Sequence, residues 1–159
     1  MEERSDAKKN SSETAYYGAI TIPFRKVDDR LEFLVVENAE TGNVTFVSGA
    51  QEEEDADEVA TAKRELREEL HLPESLRDTR LLPTTVRHEF VFGPKKKDRA
   101  GHPGSYGVFL LDLSDITEEI RPTKELKSVS WLSREEVLTR VSFDDLKKIF
   151  GEAIQQYNL

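Results

Sequence analysis

The chain has 159 residues, 36% of them apolar and 35% charged, with a net charge of −9 at pH 7. That length suits one domain with a real core, and the acidity argues against broad contact with nucleic acid or an anionic membrane. The absence of cysteine excludes disulfides and thiolate metal centres and fits a reducing compartment. No apolar run approaches the roughly 20 residues of a membrane span, and the N-terminus lacks the apolar centre of a secretory signal, so a cytoplasmic protein is expected.

Residues 1–14, "MEERSDAKKNSSET", are polar and aperiodic. They read as a mobile tail ahead of a single domain over 15–159. "YYGAITIPFR" alternates as a strand over about 16–25, and "LEFLVVENA" over 31–39 follows the turn "KVDDR". "ETGN" is a second turn, before a third short strand "VTFVSGA". Two short connections in succession predict antiparallel pairing. The best helical pattern comes next, with Asp55 as candidate N-cap, Glu58 at capping-box spacing and Pro73 as the stop. Val59, Ala62, Leu66 and Leu70 supply its apolar stripe.

"TRLLPTTVRHEFVF" (79–92) reads as a strand, with Pro83 implying a bend or an edge position. "GPKKKDRAGHPGS" (93–105) holds three glycines and two prolines and reads as a loop. "YGVFLLDL" (106–113) is the most apolar strand and belongs inside the sheet, and "ELKSVSWL" (125–132) is the last strand. A short helix follows from an N-cap at Ser133. A longer one starts at about Ser142, with Leu146, Ile149, Phe150 and Ala153 on one stripe. The order predicts an α/β fold, a mixed β-sheet sandwiched between helices.

The chemistry concentrates in "AKRELREELHL", residues 62–72, where Glu65, Glu68 and Glu69 fall within five positions. At about 100° per residue, Glu65 and Glu68 lie opposite the apolar stripe and Glu69 at its margin. The like-charge pair Glu65 and Glu69, spaced i,i+4, costs about 0.2–0.5 kcal/mol in an isolated helix. A divalent cation reverses that sign, and an oxygen-only, sulfur-free donor set suits Mg²⁺ or Mn²⁺. The plainer alternative is a solvated face in which Arg64 pairs with Glu68.

"RELREELHL" resembles the core of the Nudix box, G-x5-E-x7-R-E-U-x-E-E-x-G-U, with U a bulky aliphatic. Arg64, Glu65, Leu66, Glu68, Glu69 and Leu72 match, while Ala50, Ala56 and His71 stand where the pattern has glycine, glutamate and glycine. Glu53, Glu54, Asp55 and Asp57 lie close enough in sequence for a shifted carboxylate to substitute at 56. The resemblance implies a Nudix-like α/β/α sandwich and Mg²⁺-dependent hydrolysis of a nucleoside diphosphate linked to another group. It implies that Glu65, Glu68 and Glu69 hold the metal, with the Gly49 carbonyl as a further ligand, and that Arg64 orients the glutamates. It further implies that one glutamate takes the proton from water, with Glu69 and Glu125, six residues before Trp131, as the candidates. Diadenosine tetraphosphate hydrolases of this superfamily place a glutamate similarly.

Substrate choice is expected outside the box. Lys95, Lys96, Lys97 and Arg99 could close over a phosphate chain, with Arg87 and His88 beside them. Tyr17, Phe90, Phe92 or Tyr106 could stack a purine. A small-molecule nucleotide is the expected partner. The three departures from the box motivate a second reading, a non-catalytic Nudix-like domain that binds a nucleotide or a protein.

Overall fold

Tyr16–Val27 (β1) is the strand about which the sheet is laid, and its residues 18–24 are buried on both faces. In this computed structural model, which describes residues 15–116 and 118–159, Pro103–Asp112 (β6) runs parallel to β1 along one edge. The other edge of β1 is shared. Its first half pairs antiparallel with Val47–Ala50 (β4) and its second half with Arg30–Asn38 (β2). β2 pairs onward with Val44–Thr45 (β3) and Leu126–Leu132 (β7). β6 pairs with Leu81–Val91 (β5), which ends the sheet on that side. The expected tail at residues 1–14 lies outside the described residues.

Side chains alternate across this seven-stranded sheet, so each strand feeds two cores. Ile20, Ile22 and Phe24 of β1 join Phe33 and Val35 of β2 against Ile149, Phe150 and Ala153 of Asp144–Gln156 (α4) and Val137 of Arg134–Arg140 (α3). Phe150 meets Phe33 edge to face at 4.8 Å. On the opposite face Leu34, Val36 and Leu111 pack against Leu66 and Leu70 of Glu58–Leu70 (α1) and Leu76 of Glu74–Thr79 (α2). Burying each such side chain contributes about 1.5–3 kcal/mol. Helices on both faces of a mixed sheet make the expected α/β/α sandwich.

Local departures from the sequence reading have physical causes. The third strand is two, broken at Phe46, which turns into the α4 core and stacks on Phe150. β6 starts at Pro103, three residues early, because Pro103 and Gly104 pair with Val91 and Phe90. α2 is an added helix; Pro73 both follows α1 and caps α2. α1 is capped by Asp57, whose carboxylate accepts from the Ala60 N–H at 2.9 Å, and not by Asp55. Val59 is 38% exposed and Thr61 takes its buried place. α4 begins after Phe143, and Ser142 Oγ instead accepts from the Val44 N–H.

Candidate active site

The loop between β4 and α1 folds around one arginine. Arg64, only 7% exposed, donates from Nε and Nη2 to the buried carboxylate of Asp55 at 2.9–3.1 Å. Asp55 also accepts from Thr61 Oγ1 at 3.0 Å and from the Glu52 N–H at 2.9 Å. Those donors, Arg64 first, hold its carboxyl below the usual carboxylate range despite burial. The remaining Arg64 N–H groups reach the Ala50 carbonyl at 2.9 Å and Glu65 Oε2 and Glu68 Oε1, each at 3.1 Å. One guanidinium thereby ties the end of β4, the loop and the acidic turn of α1 together.

Glu65 and Glu69, one turn apart on α1, are the buried members of the acidic set. Burial pushes both carboxyls up, and Glu69 reaches about 9, helped by the hydrogen bond to Glu65, by Glu65's charge and by Glu125. Contact between the two carboxyls favours the protonated form of Glu69, while the Ser48 N–H favours its charged form. Glu65 packs on Gly49, where any Cβ would overlap its carboxylate. Glu68 is more exposed and is drawn toward Arg64 and Arg67. Among the described residues no group of three or more His, Cys, Asp or Glu side chains is gathered to hold a metal ion. Glu65 and Glu69 come together, and Glu68, more exposed, shares the Arg64 guanidinium with Glu65. The pair suits a hard cation nonetheless. It offers oxygen donors only, in a cradle a side chain at 49 would fill.

Glu125 reaches the same place from another element. The Thr123 N–H donates to the Glu69 carbonyl at 3.2 Å, capping the end of α1, and the Leu126 N–H closes a turn back to Thr123. The Ala39 N–H holds the Glu125 carbonyl at 3.1 Å. Strand β7 thus starts against the C-terminus of α1.

A cleft of about 850 Å³ runs from Glu65, Gly49 and Glu52 across the α4 face of the sheet to His88, Phe90, Phe143 and Asp145. Lys96, Arg99 and Tyr106 line it; Lys95 and Lys97 are exposed outside its lining. Arg99 lies over the rings of Phe92 and Tyr16, at 5.0 and 5.9 Å. Burial pushes the Tyr106 phenol to about 12. Arg87 is on the opposite face. It forms a two-pronged ion pair with Glu58 (2.9 and 2.6 Å) and bonds to Ser105. Strand parity separates it from His88, so these neighbours in sequence serve different faces. Phe143 and Asp145, at the start of α4, line the cleft and were not among the residues expected there. The pairing of Asp55 with Arg64 has no short-range signal.

The sequence matches the NUDIX domain over residues 18–152. Solved structures that share the architecture include the following three. One is a Listeria monocytogenes protein described as a NUDIX hydrolase, 23% identical over 88% of this chain and 92% of that one, TM-score 0.74. The E. coli dihydroneopterin triphosphate pyrophosphohydrolase is 15% identical over 89% and 95%, TM-score 0.72. The C. elegans Ap4A hydrolase is 17% identical over 91% and 97%, TM-score 0.71. No curated protein sequence matches. The chain belongs to the NUDIX domain family. No helix among the described residues is long and apolar enough to cross a membrane.

Proposed function

We propose that the protein is a Mg²⁺- or Mn²⁺-dependent hydrolase that cleaves a pyrophosphate linkage in a dinucleoside polyphosphate or another nucleotide. The observation that carries this reading is the buried Glu65–Glu69 carboxyl pair, one turn apart on α1, with Glu65 packed on Gly49 in the lining of the cleft. Glu65, Glu69 and the Gly49 carbonyl would hold the ion, with Glu68 joining from the rim. A divalent cation held there would neutralise charge on phosphoryl oxygens.

The other residues have distinct tasks. Arg64 fixes the Glu65 carboxylate by its bond to Oε2, and Asp55 fixes Arg64. Glu125, exposed and close enough to raise Glu69, takes the proton from the attacking water; Glu69 is the other candidate once its own proton is gone. Arg99 and Lys96 hold the phosphate chain along the cleft. Two of the box departures have local substitutes that support catalysis. Asp55 supplies Arg64 with a carboxylate one residue before Ala56, and His71 ends α1 at φ 55° without a glycine.

Incubating the protein with dinucleoside polyphosphates, nucleoside triphosphates and sugar nucleotides, with Mg²⁺ or Mn²⁺, tests this reading. Products resolved by chromatography are expected, with a nucleoside monophosphate or diphosphate among them. The non-catalytic reading is favoured by the lack, among the described residues, of three or more His, Cys, Asp or Glu side chains gathered to hold a metal ion. It predicts thermal stabilisation by a nucleotide and no product from any member of the panel.

A further inference from the structure

Tyr106 is buried, with 7% of its surface exposed, among phenylalanines of the α4-side core. Its ring meets Phe90 edge to face at 5.0 Å, and Phe90 meets Phe92 at 4.9 Å. The ring also presses on Gly18, where a Cβ would stand 2.7 Å from Cε1 and 2.8 Å from Cζ. A phenylalanine would make all of these contacts. The phenol oxygen is the part of the side chain that packing does not use.

The backbone places that oxygen. Ala50, Gly18 and Tyr106 share one rung across β4, β1 and β6. The point where Gly18 would carry a Cβ lies 2.4 Å from the Gly49 carbonyl oxygen. Tyr106 Cζ, which bears the hydroxyl, and that carbonyl therefore flank the same small gap. Glu65 occupies the space over Gly49. The charges that act on the phenol are those of Arg99 and Glu65. The hydroxyl thus has one member of the acidic pair and the cation proposed to hold phosphate both within electrostatic reach.

A buried phenol usually finds a hydrogen-bond partner within the fold. This one makes no hydrogen bond to a described residue, yet it is not sealed. The side-chain atoms closed off without a partner are His88 Nδ1, Arg99 Nε and Thr123 Oγ1, and the Tyr106 oxygen is not among them. Tyr106 lines the cleft, and its ring is covered, so the hydroxyl is what it offers there. A phenol keeps its proton at neutral pH and presents a donor. A phosphoryl oxygen, which accepts, would satisfy it.

We propose that the Tyr106 hydroxyl donates a hydrogen bond to a phosphoryl oxygen of the bound pyrophosphate linkage, beside the acidic pair, and holds it more tightly as that oxygen gains charge during hydrolysis. The proton stays on the phenol throughout. The inference rests on the hydrolase reading for the presence of the phosphates, and it adds a neutral donor to the cations of the cleft. Packing against Gly18 and Phe90 fixes this donor in advance, so charge that develops beside it meets an oriented dipole.

Tyr106→Phe removes the oxygen and keeps the ring. Its kcat/KM on a substrate from the nucleotide panel should fall about ten- to a hundredfold, as for a hydrogen bond to a charged acceptor, with most of the loss in kcat. Calorimetric titration with α,β-methylene-ADP and Mg²⁺, an analogue whose bridge resists hydrolysis, should show affinity at least about threefold weaker. Melting temperature and Mn²⁺ affinity should stay those of wild type, which a purely structural role for the oxygen would not allow. If the variant does not fold, wild type labelled with carbon-13 at tyrosine Cζ decides the matter. Of its four tyrosine signals, assigned with Tyr16→Phe, Tyr17→Phe and Tyr157→Phe, that of Tyr106 should move most when the analogue and Mg²⁺ are added. Turnover and analogue affinity within about twofold of wild type in a folded Tyr106→Phe would overturn the proposal. So would an equal fall in Mn²⁺ affinity, a Tyr106 signal indifferent to bound analogue, or no binding of the analogue by wild type. Unchanged kinetics of the variant in a protein that hydrolyses nucleotides removes the hydroxyl's role alone. Weakened analogue binding by the variant of a protein that hydrolyses nothing removes the hydrolase reading alone.

Discussion

Asp55 and Arg64 illustrate how one residue's partners set what a site can do. The Arg64 guanidinium has carboxylate or carbonyl partners on three sides, and Asp55 is the most buried of them. Removing one member of a buried pair leaves the other charge uncompensated. Asp55→Ala should cost about 2–4 kcal/mol, read by urea unfolding, with Glu65 and Glu68 limiting the loss. A change under about 0.5 kcal/mol, the ordinary surface value, would show that the pair does not organise the loop. The acid pair makes a pH prediction. Glu69 holds its proton up to about 9 in the fold, against 4.5 for the free side chain. Between those values the native state binds more protons than the unfolded one, so metal-free stability falls as pH rises through the window. Chelator-treated protein should melt at progressively lower temperature across that range. Mg²⁺ should flatten the trend by replacing the proton, and Glu69→Gln should abolish it. A melting temperature that rises across the window contradicts this account. Asp55 acts with the opposite sign and only near and below 3.8.

At the scale of elements, α1 shows what a short pattern can and cannot specify. Leu66 and Leu70 read as core and are fully buried. Its start was expected at Asp55, but the loop's demand for a carboxylate at Arg64 draws Asp55 away and leaves Asp57 as the cap. Its end is set by His71, which adopts φ 55° and whose N–H bonds back to the Arg67 carbonyl at 3.0 Å. A side chain in the left-handed region costs roughly 1–2 kcal/mol, partly offset by glycine's own entropy. His71→Gly should therefore stabilise the protein by about 0.5–1 kcal/mol in denaturant unfolding; a loss of that size would show that the imidazole contributes more than the strain removes. Gly49→Ala should do the reverse at the other end of the site. The added methyl must displace the Glu65 carboxylate, so Mn²⁺ affinity by titration should fall at least tenfold. Unchanged affinity would remove Glu65 from the proposed metal site. The short α2 was not legible, because six residues ending at Thr79 show no full turn of apolar repeat.

At the scale of the whole molecule, the order of elements was enough to predict a two-faced sheet, and the alternation of β1 and β2 sorts the two cores as expected. What the order could not show is how β1 changes partner along one edge, from β4 to β2. That exchange lets β4 end early and gives α1 access to the cleft. Nor could it show which face each loop-proximal residue serves. Arg87 and His88 are adjacent, yet one pairs with Glu58 on the α1 side and the other lines the cleft. The acidic helix itself was legible because its spacing is local; Glu125 was legible only through family resemblance. The claim that joins all three scales is that Glu69 works with a divalent cation to hydrolyse a nucleotide. Its most direct test is nucleotide hydrolysis by wild type and Glu69→Gln, measured side by side with and without Mg²⁺. The account predicts cation-dependent turnover by wild type and a loss of at least a hundredfold in the variant, in line with removal of a general base or metal ligand, with its circular dichroism unchanged. Equal turnover by the two proteins, or turnover indifferent to the cation, would contradict it.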